Sequence, residues 1–244
     1  MATLDPLLDV EVKPMPKPRK LQISLDATPF YHCVSRCVRR AFLCGKDSVS
    51  GRSYEHRKHQ IQHDLLGLAS IFYIDVAAFA VLSNHYHVVV HVDRESANAA
   101  DAKEIVQRWH HLFKPIEVSQ KYVNNEYLEP HERHQLDVLI DTWRKRLHDI
   151  SWFMKVLNEN IARRANKEDD CSGHFWESRY KSQALLDEKA VLSVMAYVDL
   201  NPIRAAMATT PETCDHTSIK LRICLLYTSP SPRDATLSRM PSSA

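Results

Sequence analysis

Glycine is scarce in this chain, with four residues in 244. None sits in a glycine-rich loop able to cradle phosphates with backbone N–H groups, so no nucleotide cofactor is expected. Long apolar runs are missing too. Nothing approaches the ~20 residues of a membrane span, and the first residues lack the charged, apolar and small-residue regions of a signal peptide. A soluble, cytoplasmic protein without a membrane partner is the expectation. There is no CxxC pair among Cys33, Cys37, Cys44, Cys171, Cys214 and Cys224. Neither a disulfide framework nor a standard zinc site follows, and the thiols read as small buried or half-buried hydrophobes. Charge of one sign is lacking as well: 32 Lys and Arg face 30 Asp and Glu, a net charge of +2. Only local clustering can indicate a polyanion partner.

That clustering lies toward the N-terminus. Lys13, Lys17, Arg19 and Lys20 alternate with Pro14, Pro16 and Pro18, which blocks helix and predicts an extended arm over residues 1–20. A 44% hydrophobic content allows a real core in the remainder. Phe30 to Val38 alternates apolar and polar residues and reads as a first strand, followed by Arg39 and Arg40. Ser53 to Ala69 reads as an amphipathic helix with Ile61, Leu65 and Leu68 on one face and Arg57 and Lys58 on the other. His56, His59 and His63 fall near one face of it, where a solvated basic surface is a simpler reading than a second metal cluster. Ile71 to Leu82 and Val88 to Val92 predict a hairpin turning at Ser83-Asn84.

The second strand opens with His85-Tyr86-His87. Alternate side chains of a strand share a face, so the two imidazoles point one way and Tyr86 the other. Two neutral imidazoles on a rigid strand make two thirds of a divalent-metal site with positions left open. Beyond it, Ala102 to Phe113 predicts a helix with Trp109 in its core stripe. Lys114 to Leu139 is polar, holds Asn124-Asn125 and Pro130, and reads as an insertion or linker with His131 and His134 on its surface. Asp149 to Asn166 is the clearest helix of the chain, presenting Ile150, Phe153, Met154, Leu157, Ile161 and Ala165 on one side. Phe175-Trp176 and Ser182 to Leu186 predict two short strands, and Asp187 an N-cap for a helix ending at Asn201-Pro202. This order predicts an α+β ferredoxin-like sandwich with a central antiparallel sheet, an inserted helical or polar segment and the His-x-His strand in the interior.

Asn84-His85-Tyr86-His87 resembles the His-hydrophobic-His signature of HUH single-strand DNA endonucleases. Tyr197-Val198-Asp199-Leu200-Asn201, within Ala196 to Ala205, resembles the nucleophile helix of the REP-associated and insertion-sequence-200-like single-tyrosine transposases. Ser172 to Lys181 resembles the segment preceding that helix. The likeness spans roughly residues 21–223, with 114–139 longer than compact members need.

The resemblance implies a DNA transposase that cleaves and rejoins hairpin-containing single-stranded DNA through a 5′-phosphotyrosine. It implies Tyr197 as nucleophile, and His85, His87 and the amide of Asn201 as ligands of Mg²⁺ or Mn²⁺. Tyr197 and Asn201, four residues apart, are expected on one helix face. Arg36, Arg39, Arg40, Arg57, Lys58, Arg179 and Lys181 are candidates for phosphate contacts. A homodimer is compatible with this reading. Two alternatives stand beside it: a catalytically silent hairpin-binding protein of the same fold, and a metallohydrolase with His59 and His63 as further ligands. Tyr180, between Arg179 and Lys181, is a rival nucleophile that lacks an amide four residues on. Cys224 to Ala244 resembles the translation of a sequencing-library adapter, is set apart from the fold, and is expected to replace a native C-terminal portion.

Overall fold

The computed structural model describes residues 22–38, 43–46 and 51–228. The basic arm, Arg39, Arg40 and the chain beyond residue 228 lie outside the described residues.

Four strands form one antiparallel sheet: β1 (Phe30–Arg36), β2 (Ile74–Val81), β3 (His85–Val92) and β4 (Lys181–Ala184). Their order is β2-β3-β1-β4, and helix α1 (His56–Ile71) joins β1 to β2. This is the ferredoxin-like arrangement read from the sequence. The strand carrying His85 and His87 is interior, paired with β1 on one side and β2 on the other. Its valine run explains the position, because an interior strand is covered on both faces. Val88, Val90 and Val92 enter the main core with α1 and α6 (Ile150–Glu168), whereas Val89 enters a smaller core on the opposite face. All six residues expected on the buried side of α6 are buried. Tyr86, fully buried, donates its hydroxyl to Asn158 Oδ1 on that helix.

Between β3 and α6 lie α2 (Arg94–Ala99), α3 (Ala102–Leu112), α4 (Glu117–Val123) and α5 (Pro130–Leu147). The stretch 114–139, expected as polar insertion or linker, is therefore largely helical. Pro130 opens α5 instead of breaking it, since its missing N–H costs nothing in a first helical turn. Glu132 accepts from the Glu129 N–H at 2.9 Å to complete the start. Asn125 takes a positive φ of 58° at the turn after α4, a conformation asparagine tolerates. The apolar stripe of α5 consists of Leu136, Ile140, Trp143 and Leu147, all buried. Only Leu136 precedes the proposed end of the insertion, which is why the periodicity was invisible there. With Ile105, Val106 and Trp109 of α3, this stripe forms a second core beside the sheet.

After α6 the chain passes Trp176, which contributes a single bridge to Cys37 where a short strand was expected. Tyr180 is buried in the main core with its hydroxyl 3.1 Å from Ser151 Oγ, a packing residue. Then α7 (Glu188–Asp199) crosses the other face of the sheet, followed by α8 (Asn201–Arg204) and α9 (Ser218–Thr228). Asp187 caps α7 as predicted, accepting from Ala190 N at 2.7 Å. Helix α9 continues past Cys224 to Thr228, so the segment set apart from the fold begins inside a helix.

Candidate functional site

Helix α7 covers only part of its face of the sheet. Ala78 and Ala80 on β2 are small enough to let it come close, and Val198 packs against them with Val89 and Leu82. The end of the helix is fastened by Asp199, which is buried. Its carboxylate accepts from Ser218 Oγ at 2.6 Å and from the Arg222 guanidinium. Ser218 Oγ accepts from Phe79 N at 2.8 Å, and Arg222 donates to Ala77 O at 3.2 Å, where β2 bulges between Val76 and Ala78. An irregularity of the edge strand thus frees a carbonyl that helps set the end of α7.

At that end the ring of Tyr197 stands edge-on to His87, with centroids 5.7 Å apart. His85 and His87 both point to this face, as the period of two requires, and their rings are 4.9 Å apart. A third imidazole completes the group. His32 of β1, opposite Val89 in the strand register, lies diagonally across from His87. Its ring stacks on His87 at 5.1 Å, its Nε2 is 2.9 Å from His87 Nδ1, and its centroid is 6.4 Å from that of Tyr197. Arg204 of α8 places its guanidinium carbon 5.4 Å from the Tyr197 ring. Neither His32 nor Arg204 was singled out in the sequence. Alternation placed His32 on one face of β1, but only the pairing of β1 with β3 identifies which imidazole it meets.

The electrostatics keep these imidazoles neutral. Burial, then the neighbouring His32, His85 and Arg36, pushes His87 down to about 3. Burial lowers His32, and burial followed by the Arg36 charge lowers His85. His87 is 6% exposed, and its Nε2 is buried without a hydrogen-bond partner among the described residues. A lone buried acceptor or donor costs about 1–3 kcal/mol, a cost that a group bound at this atom would remove. His85 Nδ1 is 2.5 Å from Asn84 Oδ1.

Because the unfolded imidazole of His87 titrates near 6.5 and the folded one near 3, the unfolded state binds more protons between those values. Stability should fall as pH drops through that window, by up to about 1.4 kcal/mol per pH unit from this one group. Denaturant unfolding of the metal-free protein across this range should show His87→Gln to be less acid-sensitive than the parent. Equal slopes would show that the imidazole is not held neutral by the fold.

The other expected residues divide. Asn201 is buried at the start of α8, and no hydrogen bond joins its side chain to either imidazole among the described residues. The single helix face expected for Tyr197 and Asn201 is broken, because α7 ends at Asp199 and a new turn begins with Asn201-Pro202. Proline is disfavoured inside a helix and welcome in its first turn, which moves the boundary to Leu200.

Arg36 is exposed and opposite His85, and Lys181 is exposed on β4 opposite Val34, on the same face. Arg179 is exposed and lines a groove against α6 with Phe175 and Trp176. Arg57 is not a free phosphate contact: it is 4% exposed and paired with Glu168 at 2.8 Å and Asp169 at 2.6 Å, tying α1 to the end of α6. Lys58, half-buried, pairs with Glu55 at 2.7 Å. Both sit on a helix packed against the opposite face of the sheet from Tyr197.

The same placement removes His59 and His63 as further ligands, since α1 packs in the main core. The His59 ring contacts His216 instead. Among the described residues, no group of three or more His, Cys, Asp or Glu side chains is arranged to hold a metal ion. No helix among them is long and apolar enough to cross a membrane.

The sequence matches no protein-family model and no curated protein. Among solved structures, the chain is similar to a REP-associated tyrosine transposase bound to a REP hairpin. The identity is 10%, the TM-score 0.51, and the likeness covers 86% of each chain. At that identity the backbone arrangement alone is shared, and it is shared over most of both molecules: this chain has the fold of a REP-associated tyrosine transposase.

Proposed function

We propose that the protein binds hairpin-bearing single-stranded DNA, cleaves it and rejoins it, with Tyr197 as nucleophile and a divalent cation, Mg²⁺ or Mn²⁺, held by His85, His87 and Asn201. One observation carries this reading. An exposed tyrosine packs directly on His87, whose buried Nε2 has no partner among the described residues. The likeness to a transposase bound to a hairpin supports the choice of DNA.

Two neutral imidazoles and an amide oxygen are donors that suit such a cation. When bound, it would supply Lewis-acid polarisation of the scissile phosphate. The chain's own part is nucleophilic. The Tyr197 oxygen bonds to phosphorus while the bond from phosphorus to the 3′ oxygen breaks. The phenol proton leaves to water and the 3′ oxygen gains one, giving a free 3′-OH and a 5′-phosphotyrosine. Attack by a 3′-OH on that linkage rejoins the strand and restores Tyr197 without a nucleotide. Arg36 and Arg204 place positive charge opposite His85 and beside the Tyr197 ring, where phosphate oxygens would be met.

The silent hairpin-binding alternative has its own support, in the boundary at Leu200 that places Tyr197 and Asn201 on different helices. End-labelled single-stranded DNA flanking a hairpin, incubated with the full chain and Mn²⁺, separates the two. A labelled protein band that survives denaturation, and disappears when the metal is chelated, is the expected result. Retention of the hairpin with no such band would select the silent protein.

A further inference from the structure

His32 is the only side chain, apart from Asn84, joined by a hydrogen bond to His85 or His87 among the described residues. Its contact is with His87 Nδ1, leaving Nε2 as the unpartnered buried atom. The two nitrogens of a neutral imidazole are coupled, because the hydrogen sits on one and the lone pair on the other. Whatever His32 does to Nδ1 therefore decides what Nε2 can bind.

Two arrangements fit a 2.9 Å separation. In one, His32 donates to His87 Nδ1, so that His87 Nε2 carries a hydrogen and cannot take a cation without losing it. In the other, His87 Nδ1 donates to His32 Nε2 and the Nε2 lone pair of His87 is free.

Two observations favour the second. His85 sets the precedent: its Nδ1 faces Asn84 Oδ1, which can only accept, so His85 carries its hydrogen on Nδ1 and its lone pair on Nε2. The unpartnered state of the buried His87 Nε2 points the same way, because a buried N–H left without an acceptor is rarer in folded proteins than an under-used acceptor. We propose that His32 is a positioning residue that holds His87 in the Nδ1–H form, so that its Nε2 lone pair is offered to a divalent cation. This rests on His85 and His87 being the metal ligands. Outer partners of this kind fix the ring and raise its basicity, and their loss typically costs about 10- to 100-fold in metal affinity.

Nitrogen-15 NMR of histidine-labelled full-length protein, without metal, reads the hydrogen position directly and needs no variant. The expected result is an unprotonated Nε2 and a protonated Nδ1 for His87. Finding the hydrogen on Nε2 overturns the proposal. Mn²⁺ titration followed by electron paramagnetic resonance supplies the second readout. His32→Phe keeps an aromatic ring against His87 but removes the acceptor, and should weaken Mn²⁺ about 10- to 100-fold. His32→Gln, whose amide oxygen can accept from Nδ1–H, should recover most of that loss. Unchanged affinity in His32→Phe, or equal loss in both variants, would show that His32 only packs. The wider reading fails separately: correct hydrogen placement and Mn²⁺ binding with no DNA adduct would leave His32 in its role and remove the strand-cleaving activity.

Discussion

Tyr197→Phe should abolish the covalent DNA adduct while leaving hairpin binding intact. The substitution removes one oxygen and keeps the ring, and the ring is what packs against His87, His32 and the Arg204 guanidinium. No hydrogen bond holds the hydroxyl among the described residues, so its removal strands no partner and the fold should be unaffected. Loss of a nucleophile that acts as one unit with its neighbours is expected to lower the rate by about 10⁴-fold or more, which places the adduct below detection. Tyr180→Phe is the informative control. Tyr180 is buried in the main core, on the face of the sheet away from His85 and His87, and its hydroxyl is bonded to Ser151. Its substitution should leave adduct formation unchanged apart from a modest loss of stability. An adduct that persists in Tyr197→Phe, measured on a denaturing gel with labelled DNA, would remove Tyr197 from the mechanism.

Trp143→Ala should be among the most destabilising single substitutions in the chain, by about 3–5 kcal/mol. Trp143 is 4% exposed and stacks on Trp109 with ring centroids 5.4 Å apart and planes at 10°. It lies in the stretch of helices between β3 and α6, which could be mistaken for an ornament on a smaller fold. The contacts say otherwise. Tyr73, just before β2, donates its N–H to Leu147 O at 2.9 Å and its hydroxyl to Glu104 at 2.9 Å. Arg144 donates to the carbonyls of Ala97 and Ala100 at 2.6 and 2.7 Å. The second core is thereby joined to the strand that pairs with β3. Thermal unfolding should show a midpoint lowered by on the order of 10 °C. A loss below about 1 kcal/mol would mean that these helices are a dispensable attachment.

The sheet and its two main helices were legible in the sequence because their signals are local. The period of two in Phe30 to Val38, the valine run after His87 and the stripe of α6 each lie within a dozen or so residues. The second core was not legible, since the stripe of α5 was divided at residue 139 and Pro130, counted among the residues of a polar insertion or linker, opens a helix. The same kind of local ambiguity misplaced the boundary at Asn201, where one proline both ends α7 early and begins α8.

For the site, the sequence by itself determined that His85 and His87 share a face, because alternation along a strand leaves no choice. It also determined, through the Asp187 N-cap, that Tyr197 lies on a helix. Only the tertiary structure decided that the two meet, that Arg57 is consumed by Glu168 and Asp169, and that His32 takes the hydrogen-bonding position beside His87. Those facts depend on strand register and on which face each helix covers. Both are set by the fit of whole elements, Val198 of α7 against Ala78 and Ala80 of β2 among them, and no local run of residues contains that information.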